Sequence, residues 1–253
     1  MSLGRSLRGL GSPLPGQPAR RRDRRAIPLP HPQTIGMTGD LSSQLVRELI
    51  QITPHRRDEP YLHASDLAAR LTVQRPDTGP GPEILPATQR VRFDIGAAVH
   101  DLVRDQYLGP LGRIYGTWLC PCGEHVEGLM PSHCVCCGRR EFRYLEQEVR
   151  NEEFKVVGVL DCLEADLALG LGVLDIKSIE SAVFRLKSKL PLVRDIAQVK
   201  IYLWLTGYRW GRLLYVSTGM EERTPFRDFV VRYDMRFVAR LVRLLQQLRK
   251  DGR

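Results

Sequence analysis

Val156-Val157-Gly158-Val159-Leu160-Asp161 and Val173-Leu174-Asp175-Ile176-Lys177 are two short β-branched runs, each carrying acidic residues at its C-terminal end. Runs of this kind favour strands, and strand side chains alternate between two faces. Asp175 and Lys177 therefore share a face and Ile176 takes the other, while Val157, Val159 and Asp161 share a face of the preceding run. Gly158 leaves room on the opposite face. A hairpin through a turn near Gly170-Leu171-Gly172 would bring both aspartates to one place. Two carboxylates and a backbone carbonyl, that of Ile176, suit a hard divalent cation and leave positions for water and phosphate. Lys177 would orient or deprotonate the attacking water.

An isolated Asp-x-Lys is common on surfaces, so its company decides. Upstream, Gly96-Ala97-Ala98-Val99-His100 puts Gly96 and His100 one helical turn apart, so that a neutral imidazole can join the metal shell. Arg92–Tyr107 has helical periodicity through Ile95, Val99, Leu102 and Val103, with Gly96 admitting a close neighbouring backbone. Downstream, Gln198-Val199-Lys200-Ile201-Tyr202 lies in a helix expected from Val193 to Thr206 and ended by Gly207. Gln198 and Tyr202 share a helix face and can hold a phosphate, the substrate strand or Lys177 by hydrogen bonds.

In this order, GxxxH, Asp161, Asp175-x-Lys177 and QxxxY, the sequence resembles the RecB-like exonucleases of the PD-(D/E)XK superfamily, including phage-encoded and CRISPR-associated members. The resemblance covers Ser65 to Tyr233. It implies an α/β fold, a restriction-endonuclease-like mixed sheet flanked by helices. It also implies a Mg²⁺- or Mn²⁺-dependent DNA exonuclease that leaves 5′-phosphates and serves replication, recombination or repair. By that resemblance His100, Asp161 and Asp175 hold the cation, beside the Ile176 carbonyl already named. Lys177 is the catalytic lysine, and Gln198 and Tyr202 support substrate and lysine. Glu146 or Glu148 would add a carboxylate. The iron-sulfur members place three cysteines after the QxxxY motif; here no cysteine follows Cys162, which argues against that cluster. Where some relatives have a histidine before QxxxY, this chain has Asp195.

Five of the six cysteines crowd into one segment, unlike a secreted disulfide framework. Cys120-Pro121-Cys122-Gly123 and Cys134-Val135-Cys136-Cys137-Gly138 look like two knuckles of a zinc ribbon. Cys134 and Cys137 have the usual spacing. Cys120 and Cys122 are one residue closer, so His125 or His133 stands as an alternative ligand. Four thiolates would close the ion's coordination, making this Zn²⁺ structural. Cys162 reads as a small packed side chain.

The remaining sequence sets the domain plan. Residues 1–39 are rich in Gly, Pro, Ser and Arg and read as a disordered arm carrying +6 of the +9 net charge, suited to salt-dependent contact with nucleic acid. Residues 40–253 read as one nuclease domain with the zinc-ribbon-like insertion at about 116–141. Helical spacing recurs over Leu41–Ile50 and Ser65–Leu71. Strands are expected over Arg143–Arg150, Phe154–Leu163, Arg212–Ser217 and Asp228–Tyr233, followed by a basic amphipathic helix. No run approaches the ~20 apolar residues of a membrane span, and the N-terminus lacks a compact apolar signal, so a cytoplasmic location is expected. The rival reading is a catalytically silent nucleic-acid-binding or assembly protein on a nuclease scaffold.

Overall fold

The computed structural model describes residues 61–72, 87–186, 190–219 and 223–251. The arm and the Leu41–Ile50 helix lie outside these residues. The strands are β1 (Leu62–His63), β2 (Ile114–Leu119), β3 (His125–Leu129), β4 (Arg143–Leu145), β5 (Gln147–Asn151), β6 (Val156–Leu160), β7 (Cys162–Asp166), β8 (Gly170–Ile179), β9 (Trp210–Ser217) and β10 (Phe226–Arg232). The helices are α1 (Ala64–Thr72), α2 (Ala87–Asp101), α3 (Ser181–Arg185), α4 (Val193–Thr206) and α5 (Met235–Lys250). A π-helical segment, Leu102–Leu108, continues α2. Among the described residues no helix is long and apolar enough to cross a membrane.

A seven-stranded mixed sheet runs β10-β9-β8-β7-β2-β3, with β4 also paired to β2. A second sheet of three strands runs β1-β6-β5. β7 and β8 form an antiparallel hairpin, and β8 is parallel to β9, with Asp175 opposite Leu213 and Lys177 opposite Tyr215. The class is mixed α/β, a sheet flanked by helices, as the motif series implied.

Alternation along β8 divides the core in two. Val173 packs with Leu213, Tyr215 and the α4 residues Val199, Tyr202 and Leu203; Leu174 and Ile176 pack on the other side with Val103, Trp118 and Val216. Helix α4 ends where expected, because Gly207 adopts φ +78° and its N–H returns to the Leu203 carbonyl at 2.9 Å. At the other terminus of the fold, Asp234 caps α5 by accepting from the N–H groups of Arg236 and Phe237, at 3.0 and 3.1 Å. The apolar stripe of α5 then buries Phe237, Leu241, Leu245 and Leu248 against the first core.

The structure corrects three local expectations. Phe154–Leu163 is not one strand: the chain changes sheets at Asp161, β6 joining β5 and β1 while β7 begins at Cys162 and pairs with β8. Arg143–Arg150 likewise divides between β4 and β5, in different sheets. Period-2 alternation has no way to register a change of partner. Leu171 and Gly172 lie inside β8, with the turn just before Gly170. Gly172 is needed in that strand because a Cβ there would collide with the Trp210 ring.

Candidate active site

Four elements supply the site: α2 contributes His100, the β6–β7 junction Asp161, β8 Asp175, Ile176 and Lys177, and α4 Gln198 and Tyr202. Leaving the ladder is what aims Asp161. Its Oδ2 accepts the Ile176 N–H at 2.7 Å, and its Oδ1 lies 3.4 Å from His100 Nδ1. Burial disfavours charge on both groups. The mutual hydrogen bond and attraction outweigh it, so His100 is held above its ordinary range and Asp161 below its own, helped by Lys177 and the Ile176 N–H.

Asp175 is 1% exposed. Lys177 Nζ stands 3.0 Å from its Oδ1 and 2.9 Å from its Oδ2. The ammonium is thus shared between the two oxygens, with the contact to Oδ1 the better aligned as a hydrogen bond. Desolvation pushes the Asp175 carboxyl up to about 7 despite the attraction of Lys177, and the Asp161 charge adds to the rise. Burial opposes the Lys177 charge, yet Asp175 and Asp161 hold its ammonium above the usual lysine range. A buried carboxylate balanced by one lysine and set beside a second carboxylate suits a hard divalent cation. The donor atoms of His100, Asp161 and Asp175 do not draw together as tightly as those of the four cysteines.

Gln198 Nε2 donates to Tyr202 Oη at 2.8 Å across one turn of α4. Burial raises the Tyr202 phenol, with Asp175 adding to the rise and Lys177 opposing it. Gly158 makes room for this tyrosine: a Cβ there would lie 2.6 Å from Tyr202 Cε1. The neighbour that Gly96 admits is the Ser178 hydroxyl, 3.4 Å from where a Cβ would sit, rather than a backbone.

Glu146 and Glu148 are both engaged by arginines. Glu146 pairs with Arg104 at 3.1 Å, and Glu148 pairs with Arg150. Glu164, 4% exposed, is neutralised by Arg113 and by Arg212 at 2.7 Å. Arg104 escaped sequence reasoning altogether. Only 2% exposed, it meets Asp101 at 2.5 Å and Asp105 at 2.8 Å, reaches the Asp161 carbonyl at 3.4 Å and stacks over Tyr144. It ties the π-helical segment to the chain at the point where Asp161 leaves its sheet. Nothing in the spacing of Arg104 distinguishes it from a surface arginine, because its partners are distant in sequence.

The cysteines form the other cluster. Cys120, Cys122, Cys134 and Cys137 present sulfurs all within 4.8 Å of one another, the only such group of three or more potential ligands among the described residues. Cys120 and Cys137 sulfurs are 3.5 Å apart and those of Cys122 and Cys134 3.7 Å. A disulfide would need ~2.05 Å. A tetrahedral ion with Zn–S bonds of ~2.3 Å needs edges of about 3.8 Å, close to what is observed. Gly123 and Gly138, at φ +95° and +73°, turn the two knuckles, each closed by backbone bonds to Cys120 and Cys134. The Glu124 N–H and the neighbouring thiols bring Cys122 down to about 7. His125 and His133 are outside the cluster, and Cys136 is exposed. Cys162 is buried in the second core beside Trp118 and Leu174, and burial pushes its thiol well up.

No protein-family model matches the chain, and no curated protein does. Among solved structures, a protein described as SSO0001 is 15% identical with a TM-score of 0.45, over 84% of this chain and 88% of that one. An alkaline exonuclease (LHK-Exo) from Laribacter hongkongensis is 14% identical with a TM-score of 0.38, over 83% and 97%. A phage-related exonuclease from Haemophilus somnus 129PT is 8% identical with a TM-score of 0.34, over 76% and 96%. At such values the likeness decides nothing about this chain's chemistry, which rests on its own side chains.

Proposed function

We propose that this chain is a divalent-cation-dependent deoxyribonuclease whose reaction centre comprises His100, Asp161, Asp175, Lys177, Gln198 and Tyr202. The observation that carries the reading is the buried Asp175 carboxylate, paired with Lys177 and sharing its surroundings with the second carboxylate of Asp161. Mg²⁺ or Mn²⁺, held by Asp161, Asp175, the Ile176 carbonyl and His100, would supply Lewis acidity toward a phosphodiester and a more acidic water.

The chain's own groups do the rest. The Ile176 N–H fixes one oxygen of Asp161, and a cation held by both His100 and Asp161 would take the place of the proton that now joins them. Lys177, whose ammonium is favoured by Asp175 and Asp161, is placed to orient or deprotonate the attacking water beside the phosphate. Tyr202 and Gln198 brace each other beside this pair and offer hydrogen bonds to the substrate strand. The resemblance of the motif series supports attack from DNA ends in replication, recombination or repair. The four-cysteine cluster we read as a structural Zn²⁺ site: Cys120 and Cys134 are buried in the second core, so the ion would staple the β2–β3 end of the sheet to the body.

The test is digestion of end-labelled linear and closed circular DNA with Mg²⁺, Mn²⁺ or chelator, by wild type and Asp175→Asn. Metal-dependent loss of linear DNA alone, abolished by the substitution, is expected. Folded, metal-loaded protein that cuts neither substrate would point to a silent binding scaffold instead.

A further inference from the structure

Helix α4 carries Gln198 and Tyr202, yet it begins without a cap of its own. Leu192 holds the N-cap position in extended conformation, and its side chain makes no capping hydrogen bond. In a capping box the residue at N3 reaches back to the N-cap N–H. Asp195, the third residue of α4, does so through a tyrosine of β9: the Tyr215 hydroxyl accepts the Leu192 N–H at 3.0 Å and donates to Asp195 Oδ2 at 2.7 Å. Arg194 Nε lies 3.7 Å from the other oxygen. The whole tie is buried, with Tyr215 1% and Asp195 2% exposed. A serine or aspartate in place of Leu192 would cap the helix with no need to bury a carboxylate, which is costly. Capping alone therefore does not account for the arrangement.

Its place on the sheet does. Tyr215 stands opposite Lys177 in the parallel β8–β9 ladder, so the two side chains share a face. At 100° per residue, Asp195 lies within about 60° of Gln198 and about 20° of Tyr202, so one face of α4 carries all three. Burial raises the Tyr215 phenol, and the charges of Asp195 and Asp175 add to the rise, which puts the tie within the field of the reaction centre. Tyr202 is seated separately, against Gly158. Gln198, three residues after Asp195, takes its position from the first turns of the helix.

We propose that Tyr215 and Asp195 are positioning residues of the nuclease centre: through them the strand position beside Lys177 fixes the first turn of α4, and with it the Gln198 side chain. The proposal rests on the nuclease reading, in which Gln198 acts on the substrate strand. Tyr215→Phe removes the hydroxyl and keeps a ring that packs edge-on to Phe229 at 6.0 Å, so the fold should survive. Single-turnover cleavage of end-labelled linear DNA is measured with Mn²⁺ and with enzyme in excess, so that slow variants remain readable. DNA affinity is measured in EDTA and stability by thermal unfolding.

Tyr215→Phe should cleave roughly 10- to 100-fold more slowly, the scale of a misplacement of about 1 Å, while DNA affinity stays within about threefold of wild type. Asp195→Asn, which keeps an acceptor for the phenol, should retain most of the rate, and Asp195→Ala should match Tyr215→Phe. In a Gln198→Ala background, Tyr215→Phe should slow cleavage less than about twofold further, because the tie acts through that side chain. A purely structural tie would lower Tm equally in both backgrounds and leave the rate of the folded protein alone. Wild-type rates in Tyr215→Phe, equal slowing with and without Gln198, or a loss in Asp195→Asn as large as in Asp195→Ala would each overturn the proposal. No cleavage by wild type would remove the nuclease reading and this role with it, whereas an active wild type beside an unaffected Tyr215→Phe would remove this role alone.

Discussion

Replacing Gly158 with Ala tests how the Gln198–Tyr202 pair is held. In an ordinary strand the change would help, since glycine's extra backbone freedom costs roughly 0.5–1 kcal/mol relative to alanine. Here the new Cβ would stand 2.6 Å and 3.1 Å from two ring carbons of Tyr202 and 3.3 Å from Ala64 Cβ. The ring is 5% exposed, with Leu160 and Ala197 in the same core, so it has no free volume to enter. Overpacking of this kind costs about 1–3 kcal/mol, which exceeds the backbone gain and sets the sign as destabilising. Net of that gain, about 0.5–2 kcal/mol at roughly 2–4 °C per kcal/mol for a domain of this size gives an expected Tm fall of about 1–8 °C. Urea and thermal unfolding of Gly158→Ala, Tyr202→Ala and the double variant give the coupling directly. The double variant should be less destabilised than the sum of the singles, because the clash disappears with the ring. Cleavage should fall further in Gly158→Ala than stability alone explains, since the displaced phenol is the one bonded to Gln198. Additive effects, or a Gly158→Ala protein as stable as wild type, would refute the contact.

Lys177→Ala should abolish cleavage while DNA affinity, measured in chelator, changes less than tenfold; retained cleavage would remove the lysine from the chemistry. The raised Asp175 carboxyl, at about 7 against an ordinary 3.8, means the folded chain keeps a proton that the unfolded chain has lost. Its contribution to stability is therefore full below about pH 4 and is lost as pH rises toward 7. A divalent cation replaces that proton, so Mn²⁺ should raise Tm more at pH 8 than at pH 6, and the difference should vanish in Asp175→Asn. Cys134→Ser should lower bound zinc, measured by elemental analysis, from one ion per chain to well below one and weaken the fold. Cys136→Ser should leave both unchanged. Arg104→Met would leave Asp105, 7% exposed, without its buried partner and should cost about 3–5 kcal/mol in urea unfolding.

Much of the frame was legible from spacing. The α4 boundaries follow from periodicity and a single glycine, and the face shared by Asp175 and Lys177 follows from alternation within one strand. The four-cysteine cluster was legible from two short motifs, because each knuckle is closed by its own backbone turn. These features rest on residues a few positions apart, where backbone geometry alone dictates which side chains meet.

What the tertiary structure decided involves partners far apart in the chain. Asp161 reaches Ile176 and His100 because two sheets separate at that residue, and alternation read along one strand cannot express a change of sheet. Gly158 owes its identity to a tyrosine on α4, and Arg104 gains its weight from Asp105, Glu146 and the Asp161 carbonyl. Burial made the remaining difference. A sequence shows that an aspartate is present, but only packing buries Asp175 beside Lys177 and raises its carboxyl, the environment on which the proposed cation site rests.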